Sequence, residues 1–131
     1  MVTICKSAFS DIDTLENVTI LDGVVEIQQY AFYDCESLTT VAIGRGIQSI
    51  GEEAFYRCKN LSTVYCKATT PPAGGSLMFH YVYYQDRPMN GTIYVPASED
   101  NSIVDAYRAA PYWSEYADKI AGYTFEDVEV D

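Results

Sequence analysis

The sequence predicts a repeat solenoid of short parallel strands and helical turns, closed by a small helical cap at its C-terminal end. The main observation is a period of 23 residues, because the stretch 24–46 matches both the stretch 1–23 and the stretch 47–69. Apolar residues recur in phase at eight positions of the repeat. One copy cannot bury its apolar face alone, so the copies must stack on one another.

Each copy is predicted to end in one strand, at 17–20, 40–43 and 63–66. Side chains alternate along a strand, so Val41 and Ile43 point inward and Ala42 points outward. A turn follows each strand, and then come a short extended piece (24–27 and 47–50) and a helical turn (29–34 and 52–57). A strand followed by an arc, repeating within about 20–29 residues, is typical of leucine-rich repeats.

Two residue types mark the inward side of the repeat. Phenylalanine occupies the same place in three copies, at Phe9, Phe32 and Phe55, and we expect these rings to stack beneath the helical turns. Cys35 and Cys58 are also one period apart, which favours buried free thiols that act as small apolar fillers. We extend this expectation to all four cysteines. No CxxC motif occurs and the chain has one histidine, so neither a disulfide framework nor a metal site is predicted.

The period breaks in the fourth coil. Ile93 follows Phe79 by fourteen residues, where the earlier copies have nine. The extra residues lie in the stretch 80–91, which is rich in tyrosine and ends in the turn dipeptide Asn90-Gly91. A fourth strand is predicted at 92–95, ended by Pro96 because proline cannot donate a ladder hydrogen bond.

Two short helices are predicted to form the C-terminal cap. The first begins at Asn101 or Ser102, both good N-cap residues, and runs to about residue 110. The second covers 112–120 and ends at Gly122, while the residues from 125 onward are expected to be frayed. The side chains expected to face the core are Ile103, Ala106, Tyr107, Trp113, Ala117 and Ile120.

The predicted organisation is a single domain over 1–131. It comprises three repeats over 1–69, a degenerate fourth coil with a tyrosine-rich insertion over 70–96, and a C-terminal cap and tail over 97–131. A chain of 131 residues is the usual length of one domain. Its apolar content of 48% is that of a folded chain.

Net charge excludes two classes of partner. The chain carries 19 acidic and 8 basic side chains, which give a net charge of −11. Nucleic-acid binding depends on basic groups that release counterions from phosphates, and anionic membranes attract basic surfaces. Neither nucleic acid nor membrane is therefore predicted as a partner, and no apolar run reaches the roughly 18–20 residues that a membrane span needs.

The repeat motif, IxxxAFxxCxxLxxVxI, carries a family resemblance. In the second copy it is formed by Ile27, Ala31, Phe32, Cys35, Leu38, Val41 and Ile43. This pattern resembles the BspA-type leucine-rich repeat of bacterial surface proteins, in register over 1–69 and again at 92–96. The stretch 106–120 resembles the closing segment of such proteins. Ile12 replaces the motif's cysteine and Gly44 replaces a usual proline, and both changes are compatible with the fold.

The resemblance implies a non-catalytic recognition or adhesion protein that is exported from a bacterium and is extracellular or on the cell surface. The first nine residues, MVTICKSAF, have neither a basic region nor an apolar core, so they are not a signal peptide. Met1 stands at the first position of a repeat. We therefore expect a piece of a longer precursor, or a chain cut at a repeat boundary, with the export signal outside it.

No catalytic site and no cofactor are predicted. Nucleophilic catalysis needs a histidine held by partner groups, and His80, expected at the surface of the insertion, has no partner defined by the repeat. Glu52 and Glu53 fall on the exposed arc of a coil, where adjacent carboxylates are ordinarily solvated. The chain is therefore not expected to be an enzyme.

One surface is a candidate ligand-binding site. It combines outward strand residues of four coils with tyrosines of the insertion: Thr19, Thr40, Ala42, Thr63, Tyr65, Tyr94, Tyr81, Tyr83 and Tyr84. Amphipathic aromatic residues are favoured in recognition surfaces. The alternative is that these tyrosines only pack between coils, as Tyr33 and Tyr56 are expected to do elsewhere.

Three functions are compatible with this surface. The first is binding of a protein on a host or a neighbouring cell. The second is carbohydrate binding, in which tyrosine faces stack on sugar rings. The third is a structural spacer within a larger surface protein.

Overall fold

The computed structural model describes residues 2–82 and 87–125 of the chain. In chain order its elements are the strands β1 (Val2–Ile4), β2 (Asn17–Ile20), β3 (Val24–Ile27), β4 (Thr40–Ile43), β5 (Ser49–Ile50), β6 (Thr63–Cys66), β7 (His80–Val82), β8 (Arg87–Pro88) and β9 (Thr92–Pro96), the helix α1 (Ser102–Ala109), a 3₁₀ helix (Trp113–Lys119) and the strand β10 (Ile120–Tyr123). The fold therefore consists mainly of short strands, with few helices.

Five strands form one parallel sheet in the order β10–β9–β6–β4–β2. Equivalent residues of successive coils lie opposite one another, with Val41 opposite Val64 and Val64 opposite Ile93. None of these three side chains has exposed surface. The four predicted strands and their inward row are confirmed, because the period places each equivalent residue on the same side of its coil.

The fifth strand of this sheet, β10, departs from the predicted fold. It pairs in parallel with β9, with Ile120 opposite Ile93 and Tyr123 opposite Pro96. The second predicted helix therefore ends before Ile120, and Gly122 lies in a strand and not at a helix end. The physical reason is burial, because Ile120 extends the inward row of the sheet by one position.

The predicted extended pieces form a second parallel sheet, in the order β1–β3–β5. Ile4 lies opposite Ile27, and Ile27 lies opposite Ile50. Ile27 and Ile50 are buried, and Ile4 packs against the same core. Both sheets thus line one apolar interior.

Backbone hydrogen bonds in the turns run from each coil to the next. Phe9 N–H donates to the Ala31 carbonyl at 2.8 Å, and Phe32 N–H donates to the Ala54 carbonyl at 2.7 Å. Two positions in each of these turns have left-handed backbone angles, at Ser7, Asp11, Tyr30, Asp34, Glu53 and Arg57. Left-handed residues interrupt a right-handed helix, so the prediction of helical turns is wrong and these segments are plain turns.

The phenylalanine ladder is confirmed. The ring centroids of Phe9 and Phe32 are 5.2 Å apart and those of Phe32 and Phe55 are 5.0 Å apart, with interplanar angles of 10° and 1°. Phe79 continues the ladder at 5.4 Å from Phe55. The last three rings are buried, whereas Phe9 at the N-terminal end is 41% exposed.

Helix α1 and the 3₁₀ helix pack beside the fourth coil through two large buried side chains, Tyr107 and Trp113. The Trp113 ring lies 6.0 Å from the Phe79 ring, centroid to centroid. Trp113 Nε1–H donates to the Pro72 carbonyl at 2.8 Å, and the Tyr107 hydroxyl donates to the Ala68 carbonyl at 2.7 Å. Packing and hydrogen bonds together attach the C-terminal segment to the repeats.

Helix α1 begins where predicted but is capped differently. The side chain of Asn101 makes no capping hydrogen bond. The Asp100 carboxylate instead accepts from Ser102 N–H at 3.0 Å. Val104 is buried, whereas Ala106 is exposed. The predicted inward position of Ala106 is therefore wrong. The helix turns its 104 and 107 positions, three residues apart, toward the core.

Candidate functional site

The outward residues of the large sheet form a continuous surface, which we call the strand face. Its first row is Thr19, Ala42, Tyr65 and Tyr94, and its second row, two residues earlier in each strand, is Asn17, Thr40, Thr63 and Thr92. Adjacent strands lie about 4.8 Å apart, so each row is a nearly unbroken line of side chains. The structure thus brings together the six predicted strand residues, all at least partly exposed.

Four aromatic rings cluster at the β10 side of the strand face. Tyr65 and Tyr94 stack with centroids 5.4 Å apart and an interplanar angle of 19°. Tyr123 lies 5.3 Å from both rings, and Phe125 lies 4.9 Å from Tyr123. We call these four residues the aromatic platform. Tyr123 is 42% exposed, and Lys67 Nζ lies 5.8 Å from the Phe125 centroid, within cation–π range.

Tyr123 and Phe125 are functional candidates that the sequence analysis misses. The stretch after Trp113 reads as helix and then as a frayed tail, and Gly122 resembles a helix end. The available signal is the spacing of Tyr123 and Phe125, because residues two apart share one face of an extended chain. Phe125 is half-buried against the platform, so the frayed tail does not begin at this residue, and the stretch 126–131 lies outside the described residues.

The insertion is described only in part. Strand β7, which contains Tyr81, pairs antiparallel with β8 in a separate two-stranded sheet. Tyr83 and Tyr84 lie outside the described residues. The assignment of these three tyrosines to the binding surface therefore stays a prediction from sequence.

His80 is buried, with 4% of its surface exposed, so its predicted surface position is wrong. Its Nδ1 lies 2.9 Å from the Tyr116 hydroxyl, which also accepts a hydrogen bond from Phe79 N–H at 3.0 Å. Leu77 keeps the first of the two left-handed turn positions of the earlier coils, but strand β7 begins at His80. The 3₁₀ helix covers the histidine through Tyr116. His80 thus links the fourth coil to the C-terminal segment.

All four cysteines are free, and three of them are buried. Cys35 and Cys58 each donate to the carbonyl of the phenylalanine in the preceding coil at 3.1 Å. Burial raises the pKa of the Cys66 thiol to about 11, so this group is protonated at neutral pH and is a poor nucleophile. Cys5 is exposed, and the predicted burial is wrong there because no coil of the described chain lies beyond it.

Two further findings bear on function. Within residues 2–82 and 87–125, no group of three or more histidine, cysteine, aspartate or glutamate side chains is placed to hold a metal ion. In the same ranges no helix combines the length and the apolar character needed to cross a membrane.

An apolar cavity of about 540 Å³ opens at the N-terminal end of the stack. Side chains that line it include Val2, Ile4, Phe9, Leu15, Val18 and Leu21. Strands β1 and β2 are the edge strands of their sheets at this end. Phe9 is 41% exposed at this end, so among the described residues the first coil leaves apolar surface uncovered.

Comparison with known proteins identifies the repeat. The family model described as BspA type Leucine rich repeat region (6 copies) matches residues 1–81, more than half of the 131-residue chain. No curated protein matches the chain. The match includes the phenylalanine ladder and Tyr65, while the other residues of the aromatic platform follow it in the sequence.

Proposed function

Because the chain belongs to the BspA-type leucine-rich repeat family, we propose that it is a non-catalytic recognition module that binds another protein through its strand face. Repeats of this family are generally non-catalytic binding scaffolds, and leucine-rich repeat domains commonly bind proteins. Stacked coils offer a long surface to which each coil contributes one or two outward side chains. The strand face is the surface of this chain that would serve that role.

The observation that carries this proposal is the aromatic platform. Rigid aromatic side chains supply much of the binding energy of protein interfaces, and tyrosine combines an apolar ring with a polar tip. Tyr65 and Tyr94 are half-buried and stand outside the phenylalanine ladder, and Tyr123 is 42% exposed. Their rings are therefore available for contact with a partner.

The net charge of the chain and its family indicate what kind of protein the partner is. A net charge of −11 favours a partner surface of complementary positive charge, since complementary potentials speed encounter and disfavour wrong partners. BspA-type repeats occur in bacterial surface proteins. We therefore propose an extracellular or cell-surface location and adhesion to a protein of a host or of a neighbouring cell.

Carbohydrate binding is the second candidate, and one observation favours it. The hydroxyl groups of Thr63 and Thr92 stand in the row next to the stacked rings of Tyr65 and Tyr94. Hydroxyl groups donate and accept hydrogen bonds, while ring faces can stack on sugar rings. A glycan array beside a pull-down against extracellular-matrix proteins distinguishes the two candidates.

We also propose that helix α1 and the 3₁₀ helix close the C-terminal end of the repeat stack, so that 1–131 acts as one domain. Terminal coils need a cover with a polar outer face. The contact of Trp113 with Phe79, and the burial of Tyr107, support this role.

The binding proposal is tested by removing platform rings one at a time. Tyr65→Ala, Tyr94→Ala and Tyr123→Ala should each weaken binding to a partner returned by a screen by about 1–2 kcal/mol. Melting temperatures should change little, because these rings lie outside the inward ladder.

Tyr112→Asn is the matched control. Tyr112 is 44% exposed and lies outside the platform, and asparagine is among the residues most often found at a positive φ, which is 68° here. Full binding by all three platform variants would contradict the proposal, and so would unfolding of the variants, because the rings would then be packing residues.

A further inference from the structure

A cleft of about 300 Å³ lies on the turns, away from the strand face. Its lining residues are Ser7, Ser10, Tyr30, Tyr33 and Glu53. We call it the turn cleft. It lies outside both the aromatic platform and the cavity at the N-terminal end.

The turn cleft arises from a size difference between equivalent positions of neighbouring coils. Ser7, Tyr30 and Glu53 are one period apart, and so are Ser10 and Tyr33. The first coil therefore has serine at both positions where the second coil has tyrosine. The small side chains leave a recess beside the two rings.

The two tyrosines form a corner. Their ring centroids are 5.7 Å apart, and the planes meet at 73°. Tyr33 is held from the other side by Tyr56, whose centroid is 5.7 Å away and which is buried. The recess is thus bordered by π surface that the packing behind it holds in place, and aromatic faces carry the negative part of the ring quadrupole.

Uncompensated negative charge lies beside this corner. The charge of Glu53 raises the pKa of Tyr30, and burial together with the neighbouring Glu52 raises the pKa of Glu53. The ion pairs on this side of the molecule join Arg57 to Asp34 and Lys59 to Glu36. Among the described residues they leave neither Glu52 nor Glu53 with a basic partner.

We propose that the turn cleft binds a basic side chain, the ammonium of a lysine or the guanidinium of an arginine, presented by a partner protein. A cation over a tyrosine face is attracted by the ring quadrupole, and the attraction grows when the site is partly desolvated. Glu53 supplies the counter-charge at the same place. Binding at the turn cleft is a function additional to the one proposed for the strand face, and it does not depend on that face.

The test uses single amino-acid probes on the whole chain. Nα-acetyl-lysine methylamide and Nα-acetyl-arginine methylamide are titrated against ¹⁵N-labelled protein, with Nα-acetyl-norleucine methylamide as the uncharged probe. The cations should shift the amide signals of Ser7, Tyr30, Tyr33 and Glu53 with a Kd in the millimolar range. The norleucine probe should leave these signals in place.

Two variants locate the binding. Glu53→Gln removes the charge and keeps the shape, and Tyr30→Ser introduces the residue that the first coil already carries at the same left-handed position, where Ser7 has a φ of 59°. Each should weaken cation binding by about three- to tenfold. Glu99→Gln makes the same change of charge at an exposed residue before α1 and should change the affinity less than about twofold.

Three results would overturn the proposal: no shift with either cation, equal shifts with the norleucine probe, or full affinity in Glu53→Gln. Shifts caused by neutral sugars and not by the cations would likewise replace it with a carbohydrate site. Tyr65→Ala should leave the cation shifts unchanged, so failure of the turn cleft and failure of the strand face are separate outcomes.

Discussion

Each ring of the phenylalanine ladder should contribute to the stability of the fold according to how deeply it is buried. Phe32 is 2% exposed and is stacked on both sides, whereas Phe9 is 41% exposed and, among the described residues, is stacked on Phe32 alone. Phe32→Ala should therefore lower the free energy of unfolding by about 3–5 kcal/mol. Phe9→Ala should cost clearly less, because much of its ring stays in water in the folded state. Urea denaturation of both variants measures the difference, and equal costs would show that the first ring is covered in solution.

The thiols should differ in reactivity along the chain. Cys35 and Cys58 are buried, and their hydrogen bonds to backbone carbonyls keep the thiol protons engaged. The hydrogen bond with Cys58 lowers the pKa of Cys35, so the low reactivity expected of this thiol depends mainly on its burial. Cys5 is exposed and should be alkylated by iodoacetamide in the native protein, while the other three should react only on unfolding. Mass spectrometry of labelled peptides checks this, and rapid native labelling of Cys35 would contradict it.

At the scale of elements, repetition decides what the sequence reveals. Strands β2, β4 and β6 could be predicted because the same inward positions recur in three copies of the repeat. Strand β9 could be predicted because the fourth coil continues the same pattern. Strand β10 occurs once, and its conformation depends on pairing with the edge of β9, which no local pattern shows. Tyr65 and Tyr94 of the aromatic platform could therefore be predicted, whereas the spacing of Tyr123 and Phe125 does not show that their segment joins the sheet.

The left-handed turns could not be predicted from the sequence for a related reason. Their sequences contain good helix formers, and none of these positions is a glycine. The coil-to-coil hydrogen bonds, which form only after stacking, hold the left-handed residues in place. Local propensity is overridden here by contacts between coils.

The attachment of the C-terminal helices can be tested at Trp113. Trp113→Ala should lower the free energy of unfolding by about 3–5 kcal/mol, because it leaves a cavity against Phe79 and removes the donor to the Pro72 carbonyl. Ser114→Ala, at the exposed next position, is the control. Chemical denaturation measures both, and equal stability of the two variants would exclude the proposed closing role of this segment.

At the scale of the whole molecule, the N-terminal end should drive weak self-association of this chain. In the part of the chain that the structure describes, the apolar cavity and the edge strands β1 and β2 are uncovered there, and Leu21 at the cavity rim is 71% exposed. Sedimentation velocity should show a mass that rises with concentration, and more so at high salt, which screens the net charge of −11.

Leu21→Lys should keep the chain monomeric. A lysine at that rim would have to lose its hydration when two apolar ends meet. A constant monomer mass for the unaltered chain at every concentration and salt would refute this prediction.

The left-handed turn positions carry four unrelated side chains on one backbone geometry. Ser7, Tyr30, Glu53 and Leu77 have φ angles of 59°, 62°, 54° and 58°. A hydroxyl, a phenol, a carboxylate and an aliphatic chain are thus interchangeable there as far as folding is concerned. Single substitutions at these positions can therefore change the side chain that each coil presents on the turns. The hydrogen bonds between coils and the phenylalanine rings beneath the turns stay the same.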